Sequence, residues 1–375
     1  NVYSTPLNYN NTTAAYFTDN LYDEIKPASR TNIEAGFEIR FLKNRLSIEP
    51  TIFQYIDGPQ IFRNPISQTT GYSGIFINAA KYATNGAEVV IAGTPIMKKN
   101  FTWDVNFNWA AYKQTYAELP GGADSIQVGA LYLKKGDRLD VYQAGDFART
   151  SDGKMINDAG GRPIVLPKAQ RLGYSAPDWS WGFINKFKYK SVFMTIQFDG
   201  RVGGTMQNYI RKQTFRGGRH IETIEGALGT ARYQDTKGIK SYVGEGVKIV
   251  AGTPVYDAVT GKLTNEKSLT FAPNDIKTYA QDYISRYYGQ DGGNLIDKSF
   301  SKLREITIGF AFPESMIKKT VFRSANISFV GRNLFYFQEK QNKDVDLDQY
   351  AGTQTSTSLQ TPTVRRFGLN INLVF

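Results

Sequence analysis

Nine segments of this 375-residue chain alternate apolar and polar residues with a period of two, and the connections between them alternate short and long without exception. A period of two is the repeat of a β-strand, whose successive side chains point to opposite faces. The short connections are "KN" at 43–44, "MKKN" at 97–100, the step from Lys190 to Ser191, and "PESMIKKTVFRS" at 313–324. The long ones cover 58–84, 117–177, 202–301 and 338–363. Compact soluble domains seldom use loops beyond about 12–15 residues. A bacterial outer-membrane barrel, by contrast, has short turns on its periplasmic side and long loops outside. The expected fold is therefore all-β: strands of a large antiparallel transmembrane β-barrel with short periplasmic turns and long extracellular loops.

The strand faces support this. In "FTWDVNFNWA", Phe101, Trp103, Val105, Phe107 and Trp109 oppose Thr102, Asp104, Asn106 and Asn108. In "SVFMTIQFDGR", Val192, Met194, Ile196 and Phe198 oppose Thr195, Gln197, Asp199 and Arg201. The last strand places Phe367, Leu369, Ile371, Leu373 and Phe375 on one side and Asn370 and Asn372 on the other. A lipid-facing strand needs apolar groups but no packing partner, and its other face can line a polar lumen. The lipid face is expected to include Phe37, Ile39, Val105, Phe107, Met194, Ile196, Ile306, Ile308, Ile327, Phe329, Leu369 and Ile371. Trp103, Trp109, Trp179, Trp181 and Tyr189, near strand ends, suit interfacial girdles.

Composition excludes several other classes. The longest apolar run falls well short of the roughly 18–20 residues of a membrane-spanning helix. With no cysteine, disulfides and thiolate metal sites are ruled out. Aromatic residues at 14% favour strands, and no helix is expected beyond a turn at "PESMIKK". The net charge of +11 comes from Lys and Arg scattered along the sequence, which reads as a solvated surface and not as a nucleic-acid site. The chain starts at "NVYSTPLNYNN" without an initiator Met and is expected to be a piece of a longer protein.

Four stretches resemble one known family. They are "GYSGIFINAAKYATNGAEVVIAGTPIMKKNFTWDVNFNWA", "SAPDWSWGFINKFKYKSVFMTIQFDGRVGG", "SKLREITIGFAFPESMIKKTVFRSANISFVGRNLFYF" and "TPTVRRFGLNINLVF", the last with Asn370 where the family carries Gly. Together they resemble the SusC/RagA-like TonB-dependent outer-membrane transporters of Bacteroidetes. The resemblance implies that residues 1–375 are the C-terminal portion of a plugged barrel, with the plug domain and earlier strands outside this chain. It implies import of a bulky nutrient, an oligosaccharide or a peptide, with a SusD-like surface lipoprotein as lid and the TonB complex as energy source. Lipid and lipopolysaccharide are the implied surroundings, and a homodimer is compatible with it. A passive porin, or a docking barrel in a larger envelope assembly, is the alternative. Phe375 is implied as a signal for barrel assembly.

No enzyme chemistry is expected. His220 is the single histidine, so neither a triad nor a histidine metal cluster can be built. No phosphate loop or dinucleotide fingerprint occurs, and no cofactor is expected. Asp344, Asp346 and Asp348 in "DVDLDQY" have the spacing of a calcium loop but lack its Gly and its terminal Glu, so they read as a solvated acidic loop. The long loops mix Tyr, Asn, Gln, Asp and Arg without a hydrophobic core of their own. Tyr132, Tyr142, Tyr209 and Tyr242 are the candidate substrate or lid contacts within 117–177 and 202–301.

Overall fold

The computed structural model describes residues 25–67, 72, 74–78, 80–128 and 131–375, together with short strand segments within 3–21. The largest sheet holds ten strands: β1 (Ser29–Gly36), β2 (Ile39–Phe41), β3 (Leu46–Gly58), β4 (Lys81–Lys98), β5 (Phe101–Glu118), β6 (Trp179–Tyr189), β7 (Val192–Val202), β8 (Phe300–Ala311), β9 (Ser324–Phe337) and β10 (Arg366–Val374). Their spatial order follows the chain from β3 to β10, and both β1 and β2 pair with β3. All nine expected strands are present, the first of them broken at Phe37–Glu38. Among the described residues no helix is long and apolar enough to cross a membrane.

The chain divides into two compact units, residues 1–39, 49–89 and 110–139 in one and 40–48, 90–109 and 140–375 in the other. In the first, β1 pairs antiparallel with β3 from Ser29↔Gly58 to Gly36↔Thr51. Ile61–Pro65 pairs with Gly74–Asn78, and Ser125–Val128 forms a hairpin with Leu131–Lys134. Gln114 donates to Thr84 and Lys81 pairs with Glu118, both across neighbouring strands.

In the second unit, β6 to β10 form a continuous antiparallel wall. One row of directly opposed residues reads Phe187, Met194, Ile308, Phe329 and Leu369. The next reads Tyr189, Val192, Phe310, Ile327 and Ile371. Opposed residues share a face, so the apolar residues expected on the lipid side of β7 to β10 form one surface. Ile308, Phe329, Leu369 and Ile371 are exposed, as a lipid-facing surface is when described without lipid. The opposite face carries rows such as Lys186, Thr195, Thr307, Val330 and Gly368. Eleven residues of β7 at about 3.3 Å each and a tilt near 45° rise about 25 Å, the height of a barrel's apolar band.

One irregularity breaks the alternation. The registers of β8 against β7 and β9 shift between Leu303 and Glu305, so Arg304 is an extra, bulged residue. By parity alone Arg304 would follow Ile306 and Ile308 onto the lipid side. The bulge instead lets its guanidinium reach Asp199 and Asp348, and puts Leu303 opposite Phe198 on the apolar face.

Candidate functional site

The expectation that the long loops lack a core is overturned. Ala148, Ile156 and Val247 are buried together, with Ile164, Leu166, Ile249, Tyr256, Leu263 and Phe271 packed around them. Two loops meet there, because Ile156–Asn157 pairs in parallel with Val247–Lys248, and Val247–Ala251 pairs with Thr270–Pro273. Three helices that the sequence reading missed also belong to this body: α1 (Tyr209–Arg216), α2 (Gly226–Asp235) and α3 (Ala280–Tyr287). They are too short for the 3.6-residue repeat to stand out, and "GALGTARYQD" has no clean apolar stripe. Capping holds two of them. Asn208 accepts from the Arg211 amide at the start of α1. The Asp235 carboxylate at the end of α2 accepts from the Ala280 and Gln281 amides at the start of α3.

Aromatic side chains form a stack across this body. His220, Phe215 and Tyr288 stack at 4.2 and 4.1 Å between centroids, and Tyr287 meets Tyr288 edge-on at 5.1 Å. Phe147 stacks on Tyr287 at 5.3 Å, and Tyr283 lies between Tyr287 and Tyr242. His220 is thus half-buried against Phe215, and burial lowers its pKa. Gly244 is required beneath Tyr283, since a Cβ there would collide with the ring.

Beside the stack lies a cavity of about 450 Å³, lined by Arg149, Lys154, Met155, Leu228, Tyr242, Glu245, Tyr283, Tyr287 and Tyr288 among others. Among the described residues the hydroxyls of Tyr242, Tyr283 and Tyr287 have no hydrogen-bond partner, and Tyr283 is only 8% exposed. Burial first, then Glu245 and neighbouring phenols, push the Tyr242 and Tyr283 hydroxyls up, so both stay protonated and able to donate. Lys154 pairs with Asp152, while Arg149 donates to the Gly153 carbonyl beside the opening. The cavity offers ring faces, free phenol donors, a guanidinium and the exposed Glu245 carboxylate.

The four tyrosines singled out in the sequence have different places. Tyr242 lines the cavity. Tyr132 is exposed in the 125–134 hairpin, beside the Ser125 hydroxyl. Tyr209 opens α1, its amide donating to Thr357. Tyr142 is 4% exposed and donates to Asp291, which also holds Lys212, so it is a buried anchor and offers no contact surface. The cavity's other tyrosines gave no sequence signal, since α3 had not been recognised.

The acidic loop is also bound down. Asp344 is exposed, but Asp346 accepts from the Thr363 amide, and Asp348 accepts from Lys302 and Arg304 and pairs with Arg201. Burial would raise the Asp348 carboxyl, but the bonds from Arg304 and Lys302 prevail and hold it at about 2. Among the described residues no group of acidic or histidine side chains could hold a metal ion. The loop carries Val345, Leu347 and Tyr350 into a second core with Met206, Ile296 and Phe300. Lys298, 1% exposed, donates to the carbonyls of Ser175, Gly352 and Gln354, so one ammonium ties three long loops together. The "DGRVGG" stretch contributes as well: Asp199 and Arg201 join the charged cluster, and Gly203 and Gly204 adopt left-handed φ of 82° and 91° where the chain leaves β7. Phe375 is exposed and tilts against Phe322 at 5.1 Å.

No protein-family model matches the chain. It is 23% identical over 393 residues to TonB-dependent receptor P3 of Formosa agariphila, an alignment covering 96% of this chain and 35% of that protein. TonB-dependent receptor P39 of the same organism is 21% identical, over 91% of this chain and 35% of that protein. The structure of the RagAB peptide transporter superposes with a TM-score of 0.66 at 15% identity, over 99% of this chain and 38% of the other. Its open-open state gives 0.67 at 14% identity, over 100% and 38%. This chain therefore spans about a third of the length of the curated relatives it matches.

Proposed function

We infer that this chain, which belongs to the SusC/RagA-like TonB-dependent outer-membrane receptors, supplies wall strands and the outer mouth of an importer for a bulky oligosaccharide or peptide. The observation that carries the reading is the cavity beside α3. Tyr242, Tyr283 and Tyr287 line one opening with hydroxyls that no other protein group engages among the described residues, so those hydroxyls are available to a ligand's polar groups. Its volume lies in the range of small-molecule sites, about 300–1,000 Å³, which suits one segment of a longer oligomer. The rings take the apolar faces of sugar or peptide units, and the phenols and Arg149 orient them. A passive pore or a docking barrel has no need of such groups.

The loop body is also the surface for a SusD-like lid, since a stable interface buries more than about 1,000 Å² and a short turn cannot provide it. In the whole receptor, residues 1–375 are the C-terminal portion of the barrel, and TonB drives transport through parts outside this chain. The test uses the full-length receptor with Tyr242→Ala and Tyr287→Ala combined. Losing two stacking faces should lower nutrient affinity about tenfold or more at normal outer-membrane abundance. Replacing 202–301 by a short turn should also abolish lid co-purification. Undiminished uptake by the double variant would remove the cavity from the transport path.

A further inference from the structure

The Lys and Arg that look scattered in the sequence are gathered by the fold. The turns β2–β3, β4–β5, β6–β7 and β8–β9 all lie along one edge of the sheet, because consecutive strands are neighbours. Backbone bonds link adjacent turns: Lys190 N–H donates to Asn100 O at 2.9 Å and Ala311 N–H to Ser191 O at 2.8 Å. Along this edge stand Lys43, Lys98, Lys99, Lys190, Lys318 and Lys319, all exposed. Glu314 is the one carboxylate in the four turns. Among the described residues none of the six ammoniums is paired with a carboxylate.

Their height relative to the apolar face matters as much as their charge. Tyr189 and Phe375 are exposed at the ends of β6 and β10, where a barrel's aromatic girdle sits. Lys190 follows Tyr189 directly, with its Nζ 5.5 Å from the ring centroid. Lys99 lies two residues before Phe101, and Lys43 two after Phe41, so the ammoniums extend just past the girdle, where lipid phosphates lie. Leu42, Met97, Met316 and Val321 are exposed in the same turns and would be ill placed in open water. A soluble acidic partner explains the charge but not this mixture of lysine and exposed aliphatic groups.

We propose that this edge is a phosphate-binding collar that holds anionic phospholipid headgroups, cardiolipin or phosphatidylglycerol, in the periplasmic leaflet. It is independent of the substrate reading and requires only that the short turns face the periplasm. The test takes the full-length receptor reconstituted in vesicles of phosphatidylethanolamine with and without cardiolipin. Retained lipid is counted by native mass spectrometry. The receptor should enrich cardiolipin, and changing the six lysines to Gln should reduce that enrichment by about tenfold or more. Six Lys→Gln changes at 134, 135, 237, 240, 262 and 267, in the long loops, should leave it intact. Added salt should weaken retention by the unaltered receptor. Equal retention by the two variants overturns the proposal, as does retention indifferent to salt. So does charge-dependent capture of a soluble polyglutamate without cardiolipin enrichment, which would indicate an acidic protein partner. Should the collar variant fail to assemble, the salt and polyglutamate arms on the unaltered receptor still decide.

Discussion

The wall of β6 to β10 and the loop body above it are stabilised in opposite ways. The wall is one pleated layer, held by backbone ladders, whose apolar face is exposed at Ile308, Phe329, Leu369 and Ile371. The loop body is a small globule with buried side chains, caps and a stack of rings. The wall therefore depends on its solvent, lipid, while the loop body depends on its own packing in water. Damage to one should leave the other standing, and four substitutions probe that separation.

The largest effect should come from Phe147→Ala. Phe147 is 2% exposed and stacks on Tyr287, and truncating a buried phenylalanine costs about 3–5 kcal/mol. The loop body should become protease-sensitive while the barrel keeps its heat-modifiable gel mobility. Loss of both together would show that the loop body and wall unfold as one.

Next, Ile308→Arg should cost about 2–4 kcal/mol in folding assays in lipid, whereas Asn370→Arg, on the opposite face, should cost little. Equal costs would contradict the assignment of the apolar rows to lipid. Neither change should affect the near-ultraviolet signal of the loop rings.

The smallest and most local effect concerns Lys298, at the junction of three loops. Lys298→Met leaves the buried Ser175 carbonyl and the part-buried Gly352 and Gln354 carbonyls without their donor and should loosen the loop body by about 1–3 kcal/mol. Burial holds the lysine near 8 in the folded chain, below its ordinary 10.5. The unfolded chain thus binds the proton more readily between those values, and stability should rise as pH climbs from about 8 to about 10.5. Thermal unfolding of the loop body followed through that range should show the rise in the unaltered protein and a flatter curve in the Met variant. The same slope in both would assign it to other groups.

The same contrast explains what could be read in advance. Strand alternation is local: "SVFMTIQFDGR" shows its two faces whatever surrounds it, and β7 lies where that pattern puts it. The loop core depends on residues far apart, Ile156 beside Val247 and Asp235 capping Ala280, and no local period announces such pairs. Tyr142 illustrates the limit, since it reads as an exposed recognition residue until Asp291, 149 positions away, is seen to hold its hydroxyl. Asp348 does too, because its partners Lys302 and Arg304 lie on β8, more than 40 positions away from this loop residue. The basic edge was hidden for the same reason: lysines spread over nearly 280 positions become neighbours only once the strands are laid side by side.

The bulge at Arg304 makes β8 a strand that keeps count. Upstream and downstream of it, inside and outside are assigned in opposite phase, and the single extra residue reconciles them. Deleting any one residue between Phe300 and Leu303 would leave the hydrogen-bond ladder able to form. Every side chain on the upstream side of the gap would nevertheless be turned to the other face. Substitution in such a wall changes one side chain, whereas a change in length inverts many. Diversification by insertion and deletion is therefore confined to the loops, where no parity has to be preserved, and the mouth can be remodelled for a new ligand while the wall beneath it holds its length.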